Sequence, residues 1–210
     1  MNLWIPEREW EGEDAFLIGG GPSLDRFDFS QLEGLNTIGC NDAFRLGNII
    51  QICIFGDRMW WERNKHNLEY FSGRLVTNAP GLLGYNLPNV LKMTRAVHGL
   101  HSGSVLGWNY STGAMAINLA VSLGASGIFL LGYDLVNKQG RSHWHTYNPK
   151  TIREDSYDRF LMGFKKVKEC LPEGVRVVNV TDGSSRVDCF EKIDFETFQT
   201  VLPGREVLSK

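Results

Sequence analysis

An apolar stretch, Phe16-Leu17-Ile18, runs directly into Gly19-Gly20-Gly21-Pro22-Ser23-Leu24. Three glycines after a buried strand let the backbone turn sharply and approach a ligand without Cβ interference. Backbone N–H groups in such a turn form an anion-binding concavity, and Ser23 adds a hydroxyl donor. The pattern departs from the dinucleotide motif Gly-x-Gly-x-x-Gly, because Leu24 stands where a third glycine is needed. No Gly-Lys-Ser/Thr follows, so it is not a Walker loop. The plain alternative is a tight strand-to-helix turn that binds nothing.

Four further segments carry chemistry-bearing residues. Gly39-Cys40-Asn41-Asp42 follows the next apolar stretch, and in a parallel sheet it would place Asn41 beside the glycine turn, on the edge where ligands bind. Phe55-Gly56-Asp57 ends another strand; Asp57 suits a ribose hydroxyl, a metal, or the N-cap of a following helix. Trp60 and Trp61 come next, one of them expected in the core. Asn109-Tyr110-Ser111-Thr112-Gly113 opens a helix, where hydroxyls and free N–H groups favour phosphate; N-capping accounts for one hydroxyl but not two. Gly132-Tyr133-Asp134 ends a strand, and Arg141 to Tyr147 brings two of the five histidines, His143 and His145, into one polar segment. An imidazole there suits a general base, although a surface loop with two ordinary histidines is the plain alternative. A metal at His-x-His lacks a third ligand at convincing spacing. Thr146 and Tyr147 lie next to His145 and would orient its ring, which favours it slightly over His143.

The elements that must hold these segments alternate between β-type and helical patterns, as in a mainly parallel sheet with helices on both faces. Strands are predicted over 15–18, 37–40, 50–55, 74–77, 128–131 and 176–180. Helices are predicted over 59–67, 112–123 and 157–170, with a weaker one over 194–202; Gly124 ends the second as a C-cap glycine would. Residues 78–110 are rich in Gly, Asn and Pro and read as irregular, and 137–155 reads as a lid. The whole of 1–210 reads as one Rossmann-like α/β domain.

The 210 residues and 42% hydrophobic content suit one domain with a substantial core. A formal net charge of -2 argues against a nucleic-acid partner but leaves room for a local basic cleft. No apolar run approaches the roughly 20 residues of a membrane span, and the acidic N-terminal stretch lacks signal-peptide character, so the expected location is the cytoplasm. Cys40, Cys53, Cys170 and Cys189 form no Cys-x-x-Cys pair and read as buried, reduced thiols. The sequence leaves homo-oligomer formation open.

Taken in order, Gly-Gly-Gly-Pro-Ser-Leu, Cys-Asn, Ser-Thr-Gly opening a helix, Leu-Gly-Tyr-Asp and a histidine resemble the bacterial lipooligosaccharide sialyltransferases, over roughly residues 15–147. Those enzymes carry Asn-Gly-Pro-Ser-Leu, Arg-Cys-Asn, a Ser-Gly helix start and Gly-Ile-Asp-Phe. The resemblance implies an inverting, metal-independent transferase with a histidine base. Its donor would be a nucleotide sugar, a CMP-sugar first among candidates, and its acceptor a glycan or small molecule, with no cofactor required. On that implication Gly19, Gly20, Gly21, Pro22, Ser23 and Asn41 would hold the nucleotide, with Asp57, Gly132 and Asp134 around it. Ser111, Thr112 and Gly113 would take phosphate or a sugar carboxylate. Tyr133 or Tyr147 would assist the departing phosphate, and His143 or His145 would deprotonate the acceptor. The chain departs from the pattern at Gly20, where the family has asparagine, and at Asp57, where a neutral asparagine is expected.

The chain also resembles the archaeal hydroxymethyl-dihydropterin pyrophosphokinases and the wider family around them. They share Gly-x-Gly-Pro-Ser-Leu and a terminal strand with a Gly-Ser segment like Val178 to Ser185. That resemblance implies a magnesium-dependent kinase, yet Phe55-Gly56-Asp57 offers one carboxylate where those enzymes carry Asp-Leu-Asp-Gly. A nucleotide- or glycan-binding module without turnover is the third reading.

Overall fold

Neighbouring strand residues go to opposite faces of a sheet, and here both faces are dry. Ala15 and Leu17 enter one hydrophobic cluster while Phe16 and Ile18 enter another; Ile128 and Leu130 divide from Phe129 and Leu131 in the same way. Phe16 stacks on Phe129 across the strand pair, ring centroids 5.3 Å apart. A computed structural model describes residues 2–148 and 151–203. Pro149 and Lys150 of the lid segment, and the two ends of the 1–210 span, lie outside the described residues.

Ten strands and four α-helices occur among the described residues. They are β1 (Asp14–Ile18), β2 (Thr37–Cys40), β3 (Ile52–Phe55), α1 (Arg58–Leu68), β4 (Arg74–Thr77), β5 (Val90–Lys92), β6 (Thr94–Ala96), β7 (Val105–Gly107), α2 (Thr112–Ser122), β8 (Gly127–Leu131), α3 (Glu154–Glu169), β9 (Arg176–Val180), β10 (Glu191–Ile193) and α4 (Phe195–Val201). Eight strands form one parallel sheet in the order β10-β9-β8-β1-β2-β3-β4-β5, and β6 pairs with β7 in a small second sheet. This is a single Rossmann-like α/β domain. Helices α2 and α3 pack into the cluster on one face, α1 and α4 into the cluster on the other. The small residues of α2 let it lie against β1, β2 and β3, and eight of its residues are buried.

The six predicted strands are present, with β3 starting at Ile52 rather than at 50. Ile50 N–H is used by Gly47 O (3.1 Å) and Gln51 N–H by Thr37 Oγ1 (2.9 Å), so neither enters the ladder at the predicted start. Helix α3 begins three residues before the predicted 157, where Glu154 and Asp155 complement the positive helix end. Gly124 ends α2 at φ +98°. Residues 78–110, read as irregular, contain β5, β6 and β7, each only three residues long and too short for a periodic signal. Two of the expected buried thiols, Cys40 and Cys53, are buried; Cys189 is half-buried and Cys170 exposed, and all four are free.

Candidate active site

The carboxyl ends of β1, β2, β3 and β8 open into one cavity of about 630 Å³, floored by Gly19–Gly21 and walled by the start of α2. Ligands of open α/β sheets bind at this edge. Gly19, Gly20, Gly21, Asn41, Asp57, Ser111, Thr112, Gly113, Gly132, Tyr133, Asp134, His143 and His145 all line it. Pro22, Ser23 and Tyr147 do not line it.

The glycine turn works differently from an open anion nest. Gly19 N–H donates to Leu131 O and Gly21 N–H to Gly132 O, each at 2.8 Å. Ser23 donates both its N–H (2.6 Å) and its hydroxyl (2.7 Å) to the Asp134 carboxylate. Four donors expected for a ligand are thus spent on fastening β1 to β8, and Ser23 and Asp134 face each other. Burial nevertheless raises the Asp134 pKa above the usual carboxylate range, outweighing the two bonds from Ser23. The glycines are needed for close approach. A Cβ on Gly21 would lie 2.5 Å from Asp134 Oδ2, and one on Gly20 would lie 2.7 Å from His143 Nδ1.

That second contact places the histidine segment over the turn. Trp144 N–H donates to Gly20 O and its indole Nε1 to Gly19 O, both at 3.0 Å, so the roof of the cavity is bonded to its floor. Outside, Arg141 pairs with Asp25 (3.1 Å) and Lys138 with Asp182 (2.9 Å). The His143 and His145 rings stack face to face, centroids 5.1 Å apart and 1° from parallel. His143 Nδ1 and Nε2 and His145 Nδ1 are buried without a hydrogen-bond partner among the described residues. Buried polar atoms without partners are rare, and such atoms facing a cleft indicate a place for a ligand. Burial lowers the His143 pKa, against the pull of Asp42 and the nearby Gly20 carbonyl. Burial, with His143 adding to it, takes His145 down to about 4. Both rings are therefore neutral at pH 7, the form that accepts a proton. Tyr147, 56% exposed, stacks on the outer side of His145 and under the Arg45 guanidinium.

Tyr133 is buried between the turn and α2. Its hydroxyl donates to Gly113 O (3.4 Å) and lies 3.5 Å from Cys40 Sγ. Burial pushes the phenol well above its ordinary pKa and the Cys40 thiol up to about 12. Its ring fills the space that a Cβ on Gly113 would need, 2.8 Å away. Ser111 caps α2 by accepting from Ala114 N–H (3.1 Å), and Thr112 is buried behind it. Asp57 is the N-cap of α1, accepting from Met59 N–H at 2.7 Å. Asn41 stands at the end of β2 with φ +52°, a left-handed position that asparagine tolerates. Trp60 is the core tryptophan, and half-buried Trp61 stacks on Phe55.

Sequence reasoning missed Arg95 and Trp108, which line the cavity, and gave no role to Tyr110, which lines it too. Arg95 sits in the middle of three-residue β6, and its guanidinium lies 4.2 Å from the Trp108 ring centroid. The positive φ of Tyr110 (+65°) turns the chain at the head of α2. Among the described residues, no three His, Cys, Asp or Glu side chains converge to hold a metal, and no helix is long and apolar enough to cross a membrane.

No family model matches the chain, and no curated protein matches it. Among solved structures, the sialyltransferase CstII of Campylobacter jejuni, in complex with cytidine-5'-monophosphate, superposes with a TM-score of 0.53 at 15% identity, covering 87% of this chain and 85% of that one. A single-residue variant of CST-II in complex with CMP gives 0.53 at 12% identity over 85% of each chain, and another gives 0.51 at 13% identity over 86% of each. The fold is sialyltransferase-like.

Proposed function

We propose that the chain is a metal-independent, inverting glycosyltransferase that moves a sugar from a CMP-sugar to a hydroxyl of a glycan or small-molecule acceptor. The observation that carries this reading is the pair of neutral imidazoles, with unpartnered ring nitrogens, held over the glycine turn in a cavity at the carboxyl edge of the sheet. The fold it shares with a CMP-bound sialyltransferase supports the choice of donor.

In this reading the nucleotide lies along the glycine turn and Asn41, with its phosphate at the head of α2, where Ser111, Thr112 and Gly113 present a positive helix end. His143 is the base. It lies against Gly20, whereas His145, its pKa lowered to about 4, is a weak base. The ring accepts the acceptor's hydroxyl proton, the acceptor oxygen attacks the anomeric carbon, and the bond to phosphate breaks with CMP leaving on the opposite face. His145 holds the His143 ring by stacking, and Tyr147 backs His145. Tyr133 acts through position, fixing the head of α2. Asp57, Ser23 and Asp134 shape the cavity. The reading treats 1–210 as one domain working in the cytoplasm.

Titration calorimetry with CMP, followed by incubation with CMP-sialic acid and detection of released CMP with and without chelator, tests it. CMP binding and chelator-resistant release are expected. Release that stops with chelator and returns with magnesium would overturn the metal-independent mechanism, and magnesium-dependent consumption of ATP with a hydroxymethyl pterin would put the pyrophosphokinase reading first. CMP binding without release with any acceptor would leave a binding module.

A further inference from the structure

Arg95 carries a half-buried charge with no carboxylate in direct contact among the described residues. Its Nε donates to Asn78 O (3.2 Å), and its Nη2 donates to Gly56 O and to Asn78 Oδ1 (3.1 Å). All these acceptors are neutral, and no ion pair reaches the guanidinium among the described residues. Asp57 is the carboxylate whose field acts on it, and that carboxylate is spent on Met59 N–H at the α1 cap. Burial lowers the Arg95 pKa, the signature of a cation short of compensation.

The guanidinium is also held rigidly. Trp108 lies flat against it at 4.2 Å, seated on Gly56, where any Cβ would come within 2.2 Å of the indole. Of five N–H donors, Nε supplies one and Nη2 two, which leaves both donors of Nη1 for the cavity that Arg95 lines. Taking a cation out of water is costly unless an anion meets it, so a fixed, unpaired guanidinium at a cleft is arranged for an anionic ligand. Arg58, paired with Glu62 at 3.7 Å, and Arg63 line the same cavity, as does Asp57.

The position restricts which anion. Arg95 bonds to the ends of β3 and β4, whereas His143 lies over the end of β1. Two to three strand spacings separate them, roughly 10–15 Å. Trp108 precedes the Ser111 cap of α2 by only three residues, so affinity for CMP alone is what separates a nucleotide phosphate at Arg95 from an acid group on the sugar. We infer that Arg95 is a specificity-determining residue that selects a substrate with a carboxylate on its sugar portion, accepted by Nη1. This rests on the transferase reading for the identity of the substrate, but not for the anion site itself. The carboxylate belongs to either the donor sugar or the acceptor sugar.

The test uses the full chain, Arg95→Met and Arg95→Lys. Thermal shift without nucleotide compares the methyl glycoside of N-acetylneuraminic acid with its methyl ester. The parent should bind the acid about 10–100-fold better than the ester, the range for a charge-assisted pair. Arg95→Met should bind both alike, and Arg95→Lys should keep part of the preference, which also covers the case where the methionine variant does not fold. Calorimetry with CMP and with CMP-N-acetylneuraminate assigns the source. CMP affinity should be the same in parent and variants. With the acid preference lost, a matching loss for CMP-N-acetylneuraminate marks a donor carboxylate, and unchanged CMP-N-acetylneuraminate affinity an acceptor carboxylate. A parent with no acid-over-ester preference, or variants that keep it in full, overturns the inference. A parent that binds neither nucleotide defeats the transferase reading, while the acid–ester comparison still decides Arg95.

Discussion

Acid should loosen this protein through His145. Its ring is held at about 4 in the fold, against 6.5 in open chain, mainly because it is buried beside His143. The folded state thus binds this proton less readily than the unfolded state does. The ring's contribution to stability is complete above pH 6.5 and is lost as pH falls toward 4. Between pH 7 and pH 5 a shift of that size amounts to about 2 kcal/mol. Water still reaches part of the ring, and screening brings the figure to about 1 kcal/mol, or about 2–4 °C in Tm for a chain of this length. His145→Gln keeps a polar side chain of similar reach that does not titrate. Melting curves of parent and variant at pH 7 and pH 5 give the answer by difference, which cancels His143, acting in the same sense, and Asp134, whose raised pKa acts in the opposite sense. The parent should lose about 2–4 °C more than the variant. Equal losses would refute the claim that the roof of the cavity requires a neutral imidazole there.

Other substitutions probe the remaining parts. Gly20→Val should abolish CMP binding in calorimetry while circular dichroism stays native, since its Cβ would meet His143 Nδ1 at 2.7 Å. His143→Ala should lower turnover about 10²–10⁴-fold with CMP affinity nearly unchanged. Asp57→Ala should cost about 1 kcal/mol in a denaturant melt through the lost α1 cap, with some transfer retained, whereas a metal-dependent site would lose all activity. Gly163→Ala, normally favourable within a helix, should instead destabilise by about 1–3 kcal/mol, because its Cβ would fall 1.9 Å from Asn109 O.

The segments with a local signature were readable from the chain alone. The apolar strands, the capped start of α2 and the glycine turn each announce themselves within ten residues, and the polar His143–His145 segment stood out by composition. What the turn does was less legible. Ser23 looks like a ligand donor in sequence, and only the fold brings Asp134, 111 positions away, to claim both of its hydrogens. Asp57 is a cap, and local spacing could not separate that role from a ribose or metal contact. Arg95 was hidden because β6 is three residues long and its significance lies in Trp108, Asn78 and Gly56, which meet it only in space. Short strands stabilised by distant partners leave no periodic trace.

The pairing of β1 with β8 bears on how the protein is made. Strands β1 to β5 can join in chain order, but β8 must return to the middle of the sheet and insert beside β1, the first strand synthesised. Contacts of such long sequence separation carry a large loop-closure cost and slow folding. Until β8 arrives, the exposed edge of β1 has no partner, and neither the Ser23–Asp134 bonds nor the roof that Trp144 ties down can exist. A nascent chain that stops before Gly127 therefore lacks the cavity altogether. Ligand affinity should appear late and abruptly in refolding, in step with burial of Phe129 against Phe16.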